Sequence, residues 1–170
     1  LDRAVKALKE GKQPELDRPL DHGAEIDLHV PALIPEDFLP DVHLRLIMYK
    51  RIASAKSVTE LDELKEEMID RFGLLPEPVR NLFEISHLKL IAMPLGIRKI
   101  DMGEKGGRIF FQENANIDPG RIIHLIQSDP ASYKLDGQDK LRIIRELPDA
   151  ATRLQVLENL FDEIGLKDAA

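Results

Sequence analysis

The 170-residue chain is long enough for one domain with a real core, and 43% hydrophobic with 32% charged residues reads as globular rather than disordered. A net charge of −7 argues against a surface built mainly to neutralise phosphates and fits a domain that meets a basic protein surface. The absence of cysteine excludes a disulfide frame and cysteine-based zinc sites and fits a reducing cytoplasm; no run has the length of a membrane span and no signal peptide is visible.

Leu1 opens inside a helical pattern, with Leu1, Val5 and Leu8 on one face and Gly11 as the stop. The polar, proline-containing stretch Lys12–Gly23 follows as a linker, so residues 1–23 are expected to be a connector from a longer protein and 24–170 the folded domain. Ala24–Val30 alternates Ile26, Leu28 and Val30 with polar residues and predicts a strand ended by Pro31. Asp41–Ala55 then predicts a helix that is apolar almost all round, with a polar strip of His43, Lys50 and Ser54. Such a helix is expected to be packed on several sides.

The next helix differs in character. Ser57 and Glu60 have capping-box spacing, Val58, Leu61, Leu64, Met68 and Phe72 make a single apolar stripe, and Gly73 supplies the stop. Its outer side carries Glu63, Glu66, Glu67 and Asp70, and Ser57–Phe72 holds six acids against two bases, a net of −4. With so short a linker the two helices are expected to form an antiparallel hairpin. A third, well-buried helix runs from the prolines Pro76 and Pro78 to about Met93.

Ile97–Met102, a Gly103–Gly107 turn and Arg108–Gln112 predict a β-hairpin, followed by a short helix opened by Asp118-Pro119. Tyr133–Leu135, the turn pair Asp136-Gly137 and Leu141–Ile144 predict a second hairpin. Asp149 caps a last helix carrying Leu154, Leu157, Leu160, Phe161 and Ile164. The fold class expected is α+β: a helical hairpin and third helix, then two ββα units whose partly antiparallel sheet packs on helices.

No chemistry is legible. Gly103–Gly107 lacks the Lys-Ser/Thr of a phosphate loop and lies between strands, the five histidines show no metal-ligand spacing, and no serine sits in a nucleophile elbow. Adjacent Glu66 and Glu67 diverge by about 100° on a helix and make no acid/base pair. No catalytic residue, cofactor or metal is therefore expected. The basic stretch Val42–Thr59, with Arg45, Lys50, Arg51 and Lys56 and no acid, is read as pairing internally with its acidic neighbour. The acid face reads either as a solvated exterior or as a docking face for an arginine-rich partner.

The runs Ile34–Leu46 (IPEDFLPDVHLRL), Tyr49–Ala55 and Glu63–Val79, continued by Leu95–Asp101 and Glu104–Gly107, closely resemble the C-terminal domain of bacterial transcription-repair coupling factors. The resemblance covers nearly all the chain after about Ala24. It implies a parent that is an ATP-dependent DNA translocase, dislodging stalled RNA polymerase and recruiting nucleotide-excision repair through UvrA. It further implies that this domain is not itself an enzyme and folds back on an N-terminal UvrB-like module, masking UvrA binding. Glu63, Glu66, Glu67 and Asp70 then become the expected docking residues. The alternative is a DNA-contacting accessory domain using Arg98, Lys99, Lys105 and Arg108 of the first hairpin, a segment with four bases against two acids.

Overall fold

A computed structural model describes residues 23–165, which group into two compact units: residues 30–90, and residues 24–29 together with 91–165. The expected first helix and almost all of the expected linker lie outside the described residues. Among the described residues no helix is long and apolar enough to cross a membrane.

The first unit is built on helices α1 (Val42–Ser54), α2 (Val58–Phe72) and α3 (Glu77–Ala92), the last two residues of α3 falling in the second unit. Asp41 starts α1 by accepting from the His43 and Leu44 amides at 2.8 and 3.2 Å, and Ser57 starts α2 by accepting from the Glu60 amide at 3.1 Å. Glu60 reaches back to the Lys56 amide, one residue earlier than the usual capping box. Met48, Tyr49 and Ile52 of α1 share a core with Leu61, Leu64 and Met68 of α2 and Val79, Leu82 and Phe83 of α3. The segment before α1 is tied in as well. The Leu33 amide donates to the Pro78 carbonyl, Asn81 to the Pro31 carbonyl, and the Ile34 amide to the Tyr49 hydroxyl at 2.8 Å.

In one respect α1 departs from expectation. It is not packed on several sides, because Val42 and Ile47 are about half exposed (48% and 51%). The reason is Arg45, whose guanidinium turns inward to donate to the Leu39 and Pro40 carbonyls at 2.8 and 3.2 Å. The buried face therefore runs through Arg45, Leu46, Met48, Tyr49 and Ile52, and Ile47 is left on the solvent side.

The second unit is a five-stranded mixed sheet with two helices: β1 (Glu25–Asp27), β2 (Ile97–Gly103), β3 (Gly106–Phe111), α4 (Pro119–Ser128), β4 (Tyr133–Leu135), β5 (Lys140–Ile144) and α5 (Ala150–Ile164). The α+β expectation holds, and both hairpins form. Strand order is β1-β2-β3-β5-β4, with β1 parallel to β2 and all other pairs antiparallel. The second hairpin thus joins the sheet through its later strand, β5. The parallel pair is possible because residues 28–96 intervene between its strands.

The first turn is tighter than the glycines suggest. Only Glu104 and Lys105 form it, while Gly106 and Gly107 enter β3. A Cβ on Gly107 would run into the Asp101 carbonyl, so the close strand approach, not the turn, requires that glycine. In register across the sheet, Ile100, Ile109 and Leu141 are fully buried. Helix α5 is anchored beside β1 by Arg153, which donates to the Leu28 and Leu147 carbonyls, and α4 touches β4. Helix α4 buries Ile122 and Leu125 and leaves Ile123 half exposed.

Candidate docking surface

Helix α2 buries Leu61, Leu64 and Met68 and turns its acids outward, as its single apolar stripe requires. The four acids do not form one uniform face. Glu63, Glu66 and Asp70 are exposed, and no ion pair within 4.0 Å engages them among the described residues. Glu67 lies on the flank toward α1. There Arg51 grips it with both guanidinium nitrogens, at 2.6 and 2.9 Å, and Arg71 adds a third contact at 3.2 Å. These bonds, with that to Arg51 the largest influence, hold the Glu67 carboxyl down at about 2, and the same contact raises Arg51 above the usual arginine value. Arg71 also lies over the Phe72 ring, 4.9 Å from its centre.

The expectation that Glu67 projects freely beside Asp70 is therefore corrected. Its charge is already answered within the unit, because the short Ala55–Ser57 connection brings Arg51 of α1 alongside α2. The sequence signal for this was the acid-free basic stretch of α1 next to an acid-rich helix. Only part of that stretch pairs with the neighbour, since Arg45 binds backbone carbonyls and Lys50 and Lys56 are exposed. What remains among the described residues is a ridge of three carboxylates outside any ion pair, flanked by the Arg51–Glu67–Arg71 cluster. Such a ridge offers acceptors for arginine or lysine side chains and no group that performs covalent chemistry.

The four hairpin cations of the alternative reading sit in the second unit and are mostly occupied. Arg98 pairs with Asp139 at 3.1 Å, Lys99 with Glu25 at 3.8 Å and Arg108 with Asp136 at 2.8 Å. Lys105 is exposed at the hairpin turn. Arg98 and Lys99 share the Phe110 ring, whereas Arg108 lies farther along the strand, so the four do not form one cluster.

Residues 28–122, more than half of the chain, match the family model of the TRCF domain. The chain belongs to the TRCF domain family. Full-length relatives agree: it is 48% identical over 165 residues to a transcription-repair-coupling factor of Haemophilus influenzae and 46% identical over 164 residues to that of Escherichia coli. These alignments cover 97% and 96% of the TRCF domain chain but only 14% of each relative, so the chain spans a small part of their length. The fold is similar to the crystal structure of a C-terminal domain of transcription-repair coupling factor, with a TM-score of 0.71 at 20% identity over 83% of this chain and 91% of that one.

Proposed function

We propose that this TRCF domain is a regulatory interaction module of a transcription-repair coupling factor, itself an ATP-dependent DNA translocase that clears stalled RNA polymerase. In this reading the domain docks on the N-terminal UvrB-like module of the same protein and masks the surface that binds UvrA. The observation that supports it is the α2 ridge of Glu63, Glu66 and Asp70, three exposed carboxylates that no ion pair engages among the described residues. Glu67 serves here as a strut rather than a grip: paired to Arg51 and Arg71, it fixes α2 against α1 and holds the ridge in place. Exposed charge pairs contribute about 0.2–1 kcal/mol each, so three of them give a latch that a competing contact can open.

Calorimetric titration of this chain into the separately produced N-terminal module tests the reading. Reversing the ridge with E63K, E66K and D70K together should weaken binding by about 1–3 kcal/mol, roughly five- to 150-fold. In the full-length protein the same reversal should raise UvrA capture. Wild-type affinity in the reversed variant would remove α2 as the docking element, and no binding by the wild-type chain would remove the latch altogether.

A further inference from the structure

The solvent side of the sheet carries two cross-strand rows. One runs Asp27, Asp101, Arg108, Arg142 and Lys134 across all five strands, and the next runs Glu25, Lys99, Phe110 and Lys140. Charge is graded along them. On the β1–β2 side the acids are engaged: Asp27 and Asp101 bracket the His29 ring at 3.7 and 2.5 Å, and Glu25 faces Lys99. Toward β5 and β4 the row becomes Arg108–Arg142–Lys134, three cations on neighbouring strands, of which Arg108 alone has an acid partner, Asp136. Arg142 and Lys134 are exposed, with no acid within ion-pair distance among the described residues.

Like charges directly opposed across strands repel, so this row is a standing electrostatic cost that an anion laid across it would relieve. With strands about 4.8 Å apart, the three cations span about 10 Å. The helical layer offers nothing comparable. Its cations are Arg121, held by Asp118 and the Gly165 carbonyl, and buried Arg153.

We propose that the β3–β5–β4 half of this face contacts the sugar-phosphate backbone of duplex DNA, with Arg142 and Lys134 meeting phosphates, Arg108 exchanging its Asp136 partner for a third, and Lys140 flanking them. Duplex is favoured over single strand by Phe110. Arg98, Lys99 and Lys140 stand 5.2, 5.5 and 5.5 Å from its ring centre, so the ring is taken by cations instead of being open to stack on a base. The surface differs from the first-hairpin set by centring on the second hairpin, where strand alternation turns Lys134 and Arg142 outward.

Fluorescence anisotropy of the 170-residue chain with a short labelled duplex, and with one of its strands alone, tests this across a salt series. Three phosphate contacts predict a log–log salt slope near −2.7, about a fortyfold loss between 50 and 200 mM salt. The K134Q/R142Q double variant should lower duplex affinity roughly tenfold at 50 mM and bring the slope toward about −0.9. K134E/R142E should do so more strongly, with an unchanged circular dichroism spectrum as the folding control. The proposal falls if the wild-type chain binds no duplex at low salt, if K134Q/R142Q binds as wild type, or if the single strand is bound more tightly than the duplex.

Discussion

Replacing Arg153 by methionine tests how the sheet unit is held together. The side chain is 7% exposed, its Nε donating to the Leu147 carbonyl at 3.0 Å and its Nη1 to the Leu28 carbonyl at 2.9 Å. It ties the exit of β1 to the segment entering α5, elements far apart in sequence. Hydrogen bonds from a charged donor contribute about 1.5–3 kcal/mol each, so R153M forfeits about 3–6 kcal/mol and orphans two carbonyls. Against this, methionine fills similar volume and no longer requires a guanidinium to be desolvated, which returns several kcal/mol. The balance should be a loss of about 2–3 kcal/mol, because the two carbonyls remain buried without donors. In a thermal melt that is roughly 4–12 °C for a chain of this size. Hydrogen exchange should accelerate at the β1 amides and stay unchanged in α1 and α2. An R153M protein as stable as wild type would show that desolvation fully offsets the two bonds and that β1 is held by its pairing with β2 alone.

Four further predictions concern stability. Because the Glu67 carboxyl is held at about 2 in the folded state against an ordinary value of 4.5, its contribution is present above pH 4.5 and lost as pH falls toward 2. The stability difference between wild type and E67Q in urea melts should therefore be largest near neutral pH and vanish at about pH 2. M48A, at a fully buried α1 position, should cost about 2–5 kcal/mol, while I47S beside it should stay within about 0.5 kcal/mol; equal effects would restore a helix packed on both sides. G107A should destabilise by about 1–3 kcal/mol or more through collision with the Asp101 carbonyl. G73A, with open space around it, should be penalised through its backbone alone, since φ 98 with ψ −170 is a conformation open essentially only to glycine, at about 1–3 kcal/mol.

For the docking reading, the pairing of Glu67 changes what mutagenesis of α2 means. An effect of Glu67 substitution on partner binding would reach the ridge through Arg51 and the α1–α2 junction, whereas effects at Glu63, Glu66 or Asp70 would report direct contact. Comparing E67Q with E66Q separates the two, since only the former should also shift the melting temperature.

Much of this protein is determined locally and is legible along the chain. Ser57, Asp118 and Asp149 cap the helices their spacing announces, Gly73 ends α2, and the alternation in β4 and β5 puts their polar residues on one face. These features depend on hydrogen bonds and periodicities spanning a few residues, and so did the long motifs that carried the family resemblance. Tertiary structure alone decided which strand of the second hairpin joins β3, that Arg45 and Arg153 turn inward to backbone carbonyls, and that Glu67 is claimed by Arg51 sixteen residues earlier. A helix period shows that a charge faces away from its own apolar stripe; whether that charge is free depends on what another element brings beside it, through space rather than along the chain.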